Sequence, residues 1–123
     1  MSQYFRYTPV NASSSGQIVA TASSGGGANA VAYVSATGST QTRAYAVGVA
    51  WSYNDTPSSG RVRLYNGTSS GTLLCDLDVT AAGPGSFFPP AAVGATPGNR
   101  VTAEMLQAGS SVIGKLNLYG YVK

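Results

Sequence analysis

The chain has 123 residues, with seven basic and four acidic side chains, no histidine, one cysteine and a formal net charge of +3. That length makes a single domain whose core needs neither disulfide nor metal. Charged residues make up only 9%, far below the roughly 25% of ordinary globular chains, and Ser, Thr, Gly and Ala take their place.

Eight Tyr, three Phe, one Trp and many Val exclude a disordered chain, which would be charged and poor in aromatics. The basic residues Arg6, Arg43, Arg61, Arg63, Arg100, Lys115 and Lys123 are dispersed. A nucleic-acid binder concentrates such residues in a stripe, so no nucleic-acid partner is expected. No run approaches the ~20 apolar residues of a membrane span, and residues 1–10, MSQYFRYTPV, lack the order of a signal peptide. The expectation is a protein made in the cytoplasm without a signal peptide, with no membrane partner. So few charges give little protection against association. Much of the exterior is therefore expected to be covered by copies of the chain or by another protein; the alternative is a monomer kept soluble by hydroxyls and amides.

Residues 1–10 hold Tyr4, Phe5 and Tyr7 before Pro9. They read as an N-terminal aromatic arm reaching a neighbour or as an edge strand of the domain's own sheet. Residues 11–123 read as the sandwich domain. After a turn at 11–16, residues 17–23 form a weak strand with Ile18, Ala20 and Ala22 on one side. A glycine loop at 24–27 precedes a strand at 30–35, with Val31 and Tyr33 sharing a face, and a second loop covers 37–42. Residues 43–53 make an uncharged central strand. Tyr45, Val47, Val49, Trp51 and Tyr53 are expected in the core, with Ala44, Ala46, Gly48, Ala50 and Ser52 beneath something close.

A turn at 54–60 leads into 60–80, GRVRLYNGTSSGTLLCDLDVT, which has the pattern of a β-hairpin. Val62 and Leu64 on one arm, and Leu73, Cys75, Leu77 and Val79 on the other, alternate with polar residues as a half-buried strand requires. Arg61 and Arg63 are placed to answer Asp76 and Asp78 across the pair, and Cys75 reads as a small buried hydrophobe. Residues 81–98 carry four of the six prolines and read as an excursion with at most a short strand near Phe87 and Phe88. Phe88-Pro89-Pro90 is expected to be extended. Strands at 100–106 and 113–122 close the chain; in the last, Leu116, Leu118 and Val122 face in, and Lys115, Asn117, Tyr119 and Tyr121 face out. No helical period occurs. Seven or eight strands separated by Gly, Pro and Asn turns define an all-β, single-domain antiparallel β-sandwich or barrel.

Catalysis finds little to work with. Without histidine the usual triads and zinc sites are missing. The acids are Asp55, Asp76, Asp78 and Glu104 alone. Asp76 and Asp78 could be a glycosidase pair, but they read more simply as strand-surface partners of the two arginines. No catalytic residue, metal or cofactor is expected, and the chain is read as not an enzyme. The Asn-x-Ser/Thr triplets at Asn11, Asn54 and Asn66 carry little weight without a secretion signal.

Residues 78–121, DVTAAGPGSFFPPAAVGATPGNRVTAEMLQAGSSVIGKLNLYGY, combine a hairpin strand, a Gly-Pro-Gly and Phe-Pro-Pro excursion, a Thr-Pro-Gly turn and a closing Gly-Lys-Leu-Asn strand. In this they resemble small proteins encoded in the structural-gene regions of tailed bacteriophages. With residues 51–77 the likeness covers roughly the C-terminal two-thirds; the first forty residues match less. The resemblance implies a jelly-roll-like sandwich at the virion's capsid surface, acting as a cement (decoration) protein that clamps the major capsid protein and forms a dimer or trimer. It assigns no residue a role. On the residues themselves, Tyr4, Phe5, Arg6 and Tyr7, with Phe87, Phe88, Pro89 and Pro90, are the expected protein interface. The alternative is a carbohydrate- or receptor-binding module of a phage tail or a secreted lectin, with Trp51, Tyr53, Asn54 and Asp55 as an aromatic platform with polar hooks. The alternation places Trp51 and Tyr53 in the core instead.

Overall fold

A computed structural model of the protein describes residues 17–25, 27–36 and 41–123. Nine strands form among these residues: β1 Ile18–Ser24, β2 Ala30–Ser35, β3 Ala44–Tyr53, β4 Gly60–Asn66, β5 Thr72–Val79, β6 Gly83–Phe87, β7 Val93–Gly94, β8 Arg100–Met105 and β9 Gly114–Val122. No helix occurs among the described residues. One sheet has the order β1-β9-β3-β6, with β7 also pairing β3; the other has the order β2-β8-β4-β5. The antiparallel pairs β1:β9, β2:β8, β3:β6 and β4:β5 are those of a strip of strands rolled into two facing sheets. That is the jelly roll. The all-β sandwich read from the sequence holds, and the excursion at 81–98 supplies two strands, β6 and β7, where a single short one was expected.

Alternation selects the core. Ala30, Ala32 and Val34 of β2, Val101, Ala103 and Met105 of β8, Val62 and Leu64 of β4, and Leu116 and Leu118 of β9 are buried. Eight of the nineteen residues in the buried cluster are alanines, so the sheets meet through small side chains and there is little slack for added volume. Val31 and Tyr33, which share a face of β2, point outward.

Two bulges overturn part of the sequence reading. In β3 the pairing with β9 slips between Ala46 and Gly48, leaving Val47 as the extra residue. Before the slip Ala44 and Ala46 are buried; after it Val49 and Tyr53 are, with Trp51 packed against the core. Tyr45 and Val47, expected inside with Val49, are therefore not part of the core. In the hairpin the register shifts between Leu64 and Tyr65, so that Leu73 pairs Tyr65 and Leu74 is the extra residue. Leu73, expected on the buried side, is exposed. Cys75 is only partly buried because β5 is an edge strand.

Backbone and side-chain bonds tie the turns to the sheets. Gly67, at φ +105 where glycine is favoured, donates its N–H to the Arg100 carbonyl at 2.8 Å. The buried Thr102 hydroxyl donates to the Gly67 carbonyl at 2.6 Å. Gly71 closes the same turn for a different reason: a Cβ there would overlap the Asn66 carbonyl oxygen. Ser24, also buried, accepts from Gly114 N–H through its Oγ at 3.0 Å.

The Tyr53 side chain lies in the core and its hydroxyl donates to the Leu106 carbonyl at 2.6 Å. Burial pushes the phenol above its ordinary value of 10.0, against a smaller opposing effect of a backbone hydrogen bond with Arg61. A folded pKa above the unfolded one adds stability below the unfolded value, and that stability is lost as pH rises through the folded value. The denaturation midpoint is expected to fall between about pH 9 and 11, and Tyr53→Phe to flatten that slope. Core packing is checked separately: Leu118→Ala should cost about 2–5 kcal/mol and Ala103→Leu about 1–3 kcal/mol in chemical denaturation.

Candidate functional site

Charge is distributed unequally between the two sheets. In the five strands β1, β9, β3, β6 and β7, Lys115 is the only charged side chain. The four strands of the other sheet carry Arg61, Arg63, Asp76, Asp78, Arg100 and Glu104. Those charges bond across the sheet. Arg61 reaches Asp76 at 2.9 Å and Asp78 at 2.7 Å, and Arg63 reaches Asp76 at 3.4 Å. The Arg63 guanidinium also donates to the Tyr65 hydroxyl at 3.5 Å, which donates to Glu104 at 3.2 Å. Asn29 donates to the other Glu104 oxygen at 3.3 Å. Arg100 lies 4.0 Å from the centroid of the Tyr33 ring. The ion pairing expected within the hairpin is present and extends through Glu104 to β8. Exposed pairs of this kind add little stability; both aspartates have arginine partners.

The outer face of the sparsely charged sheet is aromatic. Register places Val19, Tyr119 and Gly48 in one row across β1, β9 and β3. The Phe88 ring lies directly over Gly48, where a Cβ would overlap ring carbons. Its centroid is 5.7 Å from that of Tyr119, tilted by 38°. Beside them Tyr45 and Tyr121 stack at 5.0 Å with 19° between planes. Phe88 and Val19 still expose 52% and 51% of their surface. Phe88 follows directly on β6, so β6 delivers it to this position.

Of the expected interface residues, Tyr4, Phe5, Arg6 and Tyr7 lie outside the described residues, as does the whole segment 1–10. Phe87 turns inward against the core. Phe88 and Pro90 are exposed and Pro89 half-exposed. Tyr45, Tyr119 and Tyr121 complete the patch. The outward direction of the last two was legible in the alternation of β9; that of Tyr45 was not, because the bulge reverses it. The platform considered for a glycan does not form at residues 51–55. Trp51 and Tyr53 point inward, Asn54 Oδ1 accepts from Ile113 N–H at 2.7 Å, and Asp55 Oδ1 accepts from Thr56 N–H at 2.8 Å.

No group of three or more metal-ligating side chains occurs among the described residues, and no helix there is long and apolar enough to cross a membrane. Burial, and after it the Asp76 carboxylate, push the Cys75 thiol above its ordinary value.

No protein-family model matches the chain, and no curated protein matches it in sequence. Among solved structures, the virus-like particle of the extra small virus of the giant freshwater prawn Macrobrachium rosenbergii aligns over 98% of this chain and 87% of its own. The identity is 16% and the TM-score 0.35. So loose an overlap carries no argument about function, and the jelly-roll assignment rests on strand order and register.

Because the thiolate is the reactive form, Cys75 should react with an aromatic disulfide reagent near pH 8 several-fold more slowly than free cysteine. Unfolding in denaturant should abolish the difference.

Proposed function

We propose that the protein is a non-enzymatic structural component of a virion, a cement protein that binds the outside of a phage head through the aromatic face of the β1-β9-β3-β6 sheet. One observation carries this reading: a broad sheet face whose strands hold a single lysine, with Arg43 and Lys123 at the end of the β3:β9 ladder, paved by Phe88, Tyr119, Tyr45 and Tyr121 and left partly open to solvent. Aromatic residues with few charges are what buried interface centres favour. Clamping subunits needs shape complementarity and no chemistry. Moderate affinity per copy suffices when many copies sit on one lattice. The opposite sheet, with its charges paired among themselves, supplies a polar side that stays hydrated. The major capsid protein is the partner of this reading.

A jelly roll by itself does not choose the function, since capsid and lectin domains share it. A second reading places a glycan on the same face. It is favoured by the Phe88 ring lying against the sheet with much of its surface in solvent, the kind of surface on which a sugar ring stacks.

Binding to bare expanded phage shells, measured by co-sedimentation, distinguishes them. Phe88→Ser and Tyr119→Ser should each weaken shell binding roughly tenfold or more, as interface anchors do. The exposed Phe88 should be removable with little loss of stability. Unchanged shell binding in both variants, or sugar-specific binding on a glycan array lost with Phe88→Ser, would turn the assignment to the second reading.

A further inference from the structure

Among the described residues, three of the four lateral strands of the sandwich are protected. β1 and β2 lie against each other at one end, linked through the Gly25–Ala28 bridge. The β6 edge carries Pro84 within the strand and Pro89 and Pro90 just beyond it, and proline cannot donate to a further ladder. β5 remains, eight residues with neither proline nor lysine, and beyond its bulge at Leu74 the run from Cys75 to Val79 pairs β4 without interruption. An edge of this kind is a template for another strand.

The β5 edge also specifies what would fit. The interior is not sealed there: Cys75 and Leu77 of β5, and Trp51 and Phe87 of the facing sheet, are only half-buried. On the outer side stand Asp76 and Asp78, with 31% and 71% of their side chains exposed. A pairing strand therefore needs apolar residues facing in, alternating with a basic residue facing out near the aspartates. Residues 3–8, Gln-Tyr-Phe-Arg-Tyr-Thr, have that pattern: Phe5 and Tyr7 on one side, Arg6 between them on the other.

We propose that residues 3–8 of one copy add to β5 of a second copy as an antiparallel strand. Arg6 then lies opposite Asp76, Phe5 opposite Leu77 and Tyr7 opposite Cys75. In this register Pro9 falls opposite Leu73, past the bulge at Leu74 where the β5 ladder shifts register, so its missing N–H lies outside the unbroken run Cys75–Val79. Residues 8–16 can span up to ~30 Å, enough to cross to an adjacent molecule. Most of them are Ser, Asn, Ala and Gly, with little apolar surface to hold a return path over the sandwich from β1 to β5. Donation closes either as a reciprocal exchange in a dimer or around a ring. It operates in solution without a shell, so its failure and the failure of the shell-binding reading are separately visible.

The full chain carrying Tyr7→Cys provides the test, because Cys75 is the only native cysteine. Directly opposed antiparallel residues lie within disulfide reach. Diamide oxidation should join position 7 to Cys75 between chains, giving covalent dimers or larger species on a non-reducing gel, with the linked peptides identified by mass spectrometry. Phe5→Cys, two residues out of register, should form the corresponding link several-fold less. In sedimentation equilibrium the unmodified protein should self-associate and Arg6→Glu should weaken that association roughly tenfold. A 7–75 bond found only within single chains, no 7–75 bond under complete oxidation, or a native chain that sediments as a monomer would each overturn strand exchange.

Discussion

The architecture turns on one extra residue in β3. Val47 has no partner in β9, and inserting a residue into a strand of period two exchanges its faces. Two small residues, Ala44 and Ala46, therefore line the core over the first half of the strand, and Val49, Trp51 and Tyr53 over the second. The same slip sends Tyr45 outward to stack on Tyr121 and turns Gly48 to the exterior as the floor for Phe88. A β3 without the bulge would bury Tyr45 against the alanine-lined part of the core and leave Phe88 no seat. The bulge at Leu74 acts similarly on β5, turning Leu73 outward and shifting the register of the last two pairs before the hairpin turn.

Around this frame the chain sorts its few charges by sheet. Three arginines and three carboxylates sit on the strands of the β2-β8-β4-β5 sheet, bonded across strands or, for Arg100, over an aromatic ring. The other sheet keeps one lysine and presents tyrosines and a phenylalanine. Such a division gives one side that water solvates well and one whose desolvation is inexpensive. A face with so few charges can be covered with few ions to strand in a low-dielectric contact. The asymmetry is a property of the folded sheets, since the charged and uncharged strands are interleaved along the chain.

Protection of the edges follows the same economy. Prolines guard β6, and mutual packing guards β1 and β2. The hairpin arm β5 is left with apolar residues at a half-open seam and two aspartates outside it. The sequence of residues 3–8 has the complementary alternation of apolar and basic residues.

Much of this was legible from the residues. Period-two alternation with Gly, Pro and Asn turns identified an all-β sandwich, the hairpin's charge pairing and the two faces of β9, because the pleat obliges neighbouring side chains to point opposite ways. Alternation could not reveal where the ladder skips a residue, since a bulge is set by how neighbouring strands meet and leaves no mark on local periodicity. For that reason Tyr45, Val47 and Leu73 were placed on the wrong side, and β6 and β7 were hidden in a stretch rich in proline and glycine. Only the tertiary structure decided that the ionic residues gather on one sheet and that Phe88 settles over Gly48, because both depend on strands distant in sequence being brought side by side.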